Sequence, residues 1–107
     1  MAPKRQARAP VFAALGDETR LALIAKLCGG GPYSISQLTA GSRLTRQAIT
    51  KHLRVLERVG MVRSIHAGRE NRFEFVPEPI EELKEYLAFV SAQWDQALSR
   101  LKSYVEN

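Results

Sequence analysis

Six side chains between positions 45 and 54 carry the chemistry that reads a nucleic acid. Thr45, Arg46, Gln47, Thr50, Lys51 and Arg54 recur at helical spacing on one side of a stretch that runs to Arg58. Ala48, Ile49, Leu53, Leu56 and Val59 take the other side. Arginine pairs bidentately with guanine and glutamine with adenine, and Thr50 offers a hydroxyl and a methyl. Lys51 and Arg54, one turn further on, are placed to meet phosphate, which positions a protein without specifying a sequence. Arg43, just ahead of the helix, is expected to hold a further phosphate. His52 reads either as a phosphate contact or as a half-buried histidine bonded to backbone. Arg69 and Arg72, about twenty residues on, would anchor a second element on the duplex.

A charged helix face is also what solvent demands, so the sign of the charge matters more than its presence. Across residues 43–72 eight side chains are basic and two acidic. The same asymmetry divides the whole chain of 107 residues. Residues 1–76 hold 13 basic and 5 acidic groups, a net of +8, whereas residues 77–107 hold 3 and 6, a net of −3. Eleven of the sixteen basic residues are arginine, the side chain suited to phosphate and guanine. The first part is built to sit near a polyanion and the last is not.

The elements that must hold these residues follow from capping and periodicity. Residues 1–9 read as a basic, flexible tail. Pro10 opens a helix with Val11, Phe12 and Leu15, ended by Gly16. Asp17 caps a second helix, whose apolar stripe reads as Leu21, Ile24, Leu27 and Cys28. Gly29-Gly30-Gly31-Pro32 stops it. Ser34-Ile35-Ser36-Gln37 fits a capping box for a short third helix. Thr45 caps the fourth and Gly60 ends it. Met61 to His66 and Arg72 to Val76 then form a two-stranded hairpin around Ala67–Asn71. From about 80 to 105, Ile80, Leu83, Leu87, Val90, Trp94, Ala97, Leu101 and Tyr104 recur in steps of three and four, a long apolar seam widened by Phe89, Leu98 and Val105.

The expected fold is therefore mainly α with a β-hairpin wing, in the order α-α-α-α-β-β-α: a single winged helix-turn-helix domain over residues 10–107. In that architecture the second helix of the pair lies in the major groove and the wing reaches backbone or minor groove. The seam is too long for one small domain to hide. Val11, Phe12 and Leu15 of the first helix, with Leu87, Val90, Trp94, Leu98 and Leu101 of the last, are the expected interface of a homodimer.

Other chemistries find little footing. No apolar run is long enough to span a membrane, and no signal-peptide core follows Met1. The expected place is therefore the cytoplasm, on the nucleoid through DNA. One cysteine, Cys28, excludes an internal disulfide. It reads as a buried thiol, with a redox switch as the alternative. His52 and His66 have no partners at metal-ligand spacing. No phosphate loop, nucleophile triad or carboxylate pair stands out, so neither catalysis nor a cofactor is expected.

Val11-Phe12-Ala13-Ala14-Leu15-Gly16-Asp17-Glu18-Thr19-Arg20 resembles the "F-x-A-L-(A/G)-D-P-T-R" opening of ArsR-family repressors. The run from Leu44 to Leu56 resembles their recognition helix, "L-S-Q-S-A-V-S-x-H-L-x-V-L". Gly60-Met61-Val62 and Ala67-Gly68-Arg69 resemble the start and tip of their wing, and the Trp94–Lys102 run is similar to the last helix of a non-metal branch. The resemblance covers about residues 10–76. It implies a homodimeric repressor that binds an imperfect palindrome, with first and last helices at the interface. Many such proteins release DNA on binding a metal. Here Ser34-Ile35-Ser36 stands where the family's Cys-x-Cys would be, and residues 77–107 contain no histidine. Hydroxyls replace thiolates poorly toward soft metals, so no metal is expected, and an inducer is not identified. The leading expectation is a sequence-specific, double-stranded-DNA-binding repressor. The alternatives are a winged-helix module that docks an acidic protein, and a repressor that answers to redox state or a small molecule.

Overall fold

The computed structural model describes residues 8–106. Their elements are α1 (Arg8–Leu15), α2 (Glu18–Cys28), β1 (Tyr33–Ser34), α3 (Ile35–Thr39), α4 (Arg46–Arg58), β2 (Val62–Ala67), β3 (Glu70–Phe75) and α5 (Glu78–Glu106). The order is the expected one with a single addition, β1. It pairs antiparallel with β3, Tyr33 opposite Phe73 and Ser34 opposite Arg72, so the wing is a three-stranded sheet in the order β1-β3-β2. A two-residue strand has no alternation to detect. Of the expected tail, residues 1–7 lie outside the described residues, while Arg8 and Ala9 already belong to α1. The Arg8 guanidinium lies 4.3 Å from the centroid of the Tyr86 ring, which ties this first turn to α5.

The capping signals are realised in detail. Asp17 accepts from the Arg20 amide at 3.0 Å. The Ser34 hydroxyl accepts from the Gln37 amide at 3.2 Å, and the Gln37 side chain accepts from the Ser34 amide at 2.8 Å. Ser34 is buried and is also part of β1, so it joins the sheet to the helix-turn-helix. Ser34→Ala removes the α3 cap and strands an amide. A loss of about 1 kcal/mol in urea unfolding is expected, with Ser36→Ala, on an exposed position, close to neutral. At the end of α4 the Met61 amide donates to the Leu56 carbonyl and the Gly60 amide to that of Glu57, both at 3.0 Å. Gly60 has φ of 83°, as this Schellman stop requires. Leu56 and Met61, the two residues brought together, are fully buried.

The core is one cluster drawn from every helix but little from the last. Val11 and Ala14 come from α1, Leu23, Ile24 and Leu27 from α2, Leu38 from α3, and Ile49, Leu53 and Leu56 from α4. Met61, Val62 and Phe73 close it from the wing, and Leu83 is the one buried residue of α5. Two expectations on α2 change. Leu23 replaces Leu21 in the core, and Leu21 and Cys28 are exposed. Both lie on the flank of the stripe, and the helix rotates to pack Leu23 with Ile24 and Leu27. Val11, expected at a subunit contact, is 2% exposed within a single chain and belongs to that chain's own core.

Helix α5 is 29 residues long and packs mainly on α1. The radius of gyration is 18.2 Å, against about 13 Å for a compact chain of this length. The difference is this helix, which leaves the body of the domain after its first turns. Phe12, Leu87, Phe89, Trp94, Leu98, Leu101, Tyr104 and Val105 remain exposed.

Candidate nucleic-acid interface

Helices α3 and α4, joined by the loop 40–45, pack on each other. Burial of Ile49, Leu53 and Leu56 turns the opposite side of α4 outward. Arg46, Gln47, Lys51 and Arg54 are exposed along it, Thr50 is half-buried between them, and Thr45 is exposed at its N-terminus. Arg43 is exposed in the loop ahead of it. One helix thus presents all six residues with base-reading or phosphate-holding chemistry.

Several of these side chains are already held. Thr45 Oγ1 accepts from the Ala48 amide at 3.1 Å, so the hydroxyl works first as the N-cap. Thr50 Oγ1 donates to the Arg46 carbonyl at 2.7 Å, so its hydroxyl proton is already used within the helix. Arg46 Nη1 donates to Ser36 Oγ at 2.5 Å, which ties the guanidinium to α3 while its other donors stay free. Arg54 Nη1 lies 3.2 Å from Glu57, a carboxylate that also accepts from the Ser64 hydroxyl. Gln47 and Lys51 make no side-chain hydrogen bond among the described residues. They are the least committed groups on the face.

The wing differs from its sequence reading in length and in charge. Strand β2 pairs with β3 from Val62↔Phe75 to Ala67↔Glu70, so the turn is only Gly68-Arg69. Gly68 has φ of 67° and Arg69 does not have positive φ, a glycine-first hairpin turn that matches the twist of the strands. Arg69 is therefore at the tip, exposed. Arg72 is not at the tip. It sits within β3 and pairs with Glu70 at 2.9 Å. Arg63 pairs across the strands with Glu74. Two of the three wing arginines thus carry their own counter-charge, and Arg69 is left as the wing's free cation among the described residues.

His52 lies at the edge of the outward face, its side chain 23% exposed. Its Nδ1 is 3.2 Å from Arg20 Nη1 and 3.8 Å from Asp17 Oδ2. The Asp17 carboxyl is held below the ordinary aspartate range, chiefly by the hydrogen bond from the Arg20 amide, against the opposing effect of burial. The cap is therefore complete above the ordinary aspartate value near 3.9 and weakens as pH falls through the lower folded value. Arg20 is absent from the sequence reading of the site. It stands 32 residues from His52, and no periodicity joins the two. His66 is exposed on β2. Among the described residues no group of His, Cys, Asp and Glu could hold a metal ion, and no helix is long and apolar enough to cross a membrane.

Known proteins share this arrangement. A helix-turn-helix domain family matches residues 15–65, from the end of α1 to the middle of β2. An uncharacterized HTH-type transcriptional regulator of Bacillus subtilis, YuzN, is 37% identical over 79 residues, covering 68% of this chain and 86% of its own. The structure of an ArsR-like transcriptional regulator from Rhodococcus sp. RHA1 superposes with a TM-score of 0.77 at 36% identity, covering 92% of both chains. At 18% identity the fold is still shared with a homodimeric winged helix-turn-helix DNA-binding domain of Mycobacterium bovis, with a TM-score of 0.65 over 83% of this chain and 82% of that one.

Proposed function

The chain belongs to the ArsR-like winged helix-turn-helix transcriptional regulators, which bind DNA, and from that premise we propose that it is a homodimeric repressor of a palindromic operator. The observation that carries this reading is the outward face of α4. It collects Arg46, Gln47, Thr50, Lys51 and Arg54 on one exposed helix side, where Glu57, paired with Arg54, is the acidic group they meet. Arg46, Gln47, Thr45 and Thr50 read base edges; Arg43, Lys51, His52 and Arg54 hold phosphate. Arg69 anchors the wing tip, and Arg72 supports the wing from its pair with Glu70.

The second copy is supported by α5. Its exposed Leu87, Trp94, Leu98 and Leu101 share one side of the helix with half-buried Val90, and exposed Phe12 of α1 lies edge-on to Tyr86 near its start. An apolar stripe of that length calls for a partner. The related M. bovis domain is homodimeric. A two-fold pair sets its two reading helices about 34 Å apart, one turn of duplex. The dimerisation helix 78–106 and the winged helix make one domain, which acts in the cytoplasm on the nucleoid. The missing thiolates and histidines argue against a metal inducer. Exposed Cys28 keeps a redox-responsive version open to test by peroxide treatment.

Selection of bound duplexes from a random pool tests this function. The expected product is a pair of inverted half-sites one helical turn apart, bound more tightly than random duplex at every salt concentration. Equal affinity for both would end the sequence-specific reading. Failure to bind any duplex, with capture of an acidic protein instead, would favour the interaction-module alternative.

A further inference from the structure

Arg20 joins three parts of the fold through one side chain. Its Nε donates to the Ala14 carbonyl at 2.6 Å and its Nη2 to that of Ala13 at 3.5 Å. Both carbonyls belong to the last turn of α1, where a cation is favoured. Its Nη1 meets His52 Nδ1 at 3.2 Å, on α4. A guanidinium has five N–H donors and no acceptor. The Nδ1 it meets must therefore be bare, and the ring proton must be on Nε2. Asp17 favours the opposite tautomer, because a carboxylate attracts an Nδ1–H, but it stands at 3.8 Å, outside hydrogen-bond range. The closer group decides.

We infer that Arg20 is a positioning residue for DNA: it fixes His52 as the neutral Nε2–H tautomer and so aims an uncharged donor at the phosphate backbone. The inference deepens the docking of α4 and rests on it. Nδ1 is turned inward to Arg20, and among the described residues no group bonds Nε2. The side chain keeps 23% of its exposure, on the same helix as exposed Lys51 and Arg54. The same side chain grips the carbonyl end of α1, which packs on α5. The reading helix is thus pinned to the helix that flanks the subunit contact.

The ring proton can be placed by two-bond 15N–1H correlation of the histidine rings in the free protein. The expected result is Nε2–H in the unaltered protein and a mixture of tautomers in Arg20→Lys, whose single ammonium cannot span both partners. An Nδ1–H ring in the unaltered protein, or no change in Arg20→Lys, overturns the assignment. Should Arg20→Lys not fold, a pair of His52 variants answers instead. His52→Asn keeps an acceptor where Nδ1 was and loses the outward donor. His52→Gln restores an N–H near the Nε2 position. On random-sequence duplex His52→Asn should bind about tenfold more weakly, with an unchanged slope of affinity against salt, because no counter-charge is lost. His52→Gln should recover most of that loss. A reduced slope, or equal loss in both variants, overturns the neutral-donor role. If the unaltered protein binds no duplex, the docking of α4 falls, and the DNA part of this inference falls with it. An Nδ1–H ring with duplex binding intact overturns the Arg20 assignment alone.

Discussion

Leu98→Glu is expected to separate the two protomers of the proposed homodimer and to lower affinity for its operator by about two to three orders of magnitude, while the single chain keeps its helical content. Leu98 is 56% exposed, outside the core cluster, so its loss costs the isolated fold little. In the dimer it lies on the stripe with Leu87, Trp94 and Leu101. Two-fold symmetry makes every substitution there count twice. Burial of one leucine contributes about 1.5–3 kcal/mol, so losing both copies weakens association by about 3–6 kcal/mol even before two carboxylates are desolvated. A monomer then engages one half-site and forfeits the second. Light scattering after gel filtration reads the mass, far-UV circular dichroism reads the fold, and titration of the selected operator reads the affinity. A monomeric unaltered protein at micromolar concentration would refute the pairing, as would a Leu98→Glu variant that stays dimeric. The acidic balance of residues 77–107, a net of −3, fits a helix that leads away from the duplex.

Much of this geometry is legible in the sequence because it depends on local signals. Thr45, Ser34 and Asp17 act within one helical turn of the amides they cap, and Gly60 is needed where the chain leaves α4 with positive φ. The outward side of α4 follows from a 3.6-residue period alone. What escapes depends on groups far apart in the chain. Strand β1 exists because Tyr33 and Ser34 find Phe73 and Arg72, about forty residues away. The rotation of α2 that buries Leu23 and exposes Cys28 is a choice between two apolar flanks, settled by its packing on α1, α4 and β3. Val11 and Phe12 are neighbours in the sequence, yet one fills the core and the other stays exposed. The wing's charge is misread for a similar reason: Glu70 and Glu74 neutralise Arg72 and Arg63 across short gaps that a running total of charge does not resolve. The Arg20–His52 contact has no sequence signature, since nothing in the type or spacing of either residue names the other.

Gln47→Ala and Arg46→Ala are expected to narrow the gap between operator and random duplex, whereas Lys51→Ala should lower both curves together. A bidentate side chain–base pair is worth about 1–3 kcal/mol of discrimination. A dimer uses each residue twice, so either substitution should cost about 2–6 kcal/mol of specificity, from some thirtyfold upward. Random duplex offers no matched base edge, and its affinity should barely respond to Gln47→Ala. Arg46→Ala also removes a positive charge and should lower random binding slightly. Lys51 is an exposed point charge on the next turn of α4. Its loss should reduce the slope of log affinity against log salt by about 0.9 per half-site, hence about 2 for the dimer, on any sequence. The bond from Arg46 to Ser36 adds a further distinction. A guanidinium already held by α3 gives up little freedom on reaching a base, while Gln47 must be ordered on binding. Ser36→Ala should therefore weaken operator binding by less than Arg46→Ala but in the same direction, without touching the salt slope. If Lys51→Ala instead changes specificity, or Gln47→Ala leaves it intact, α4 enters the groove at a different angle. The reading positions would then shift toward the Lys51 and Arg54 turn.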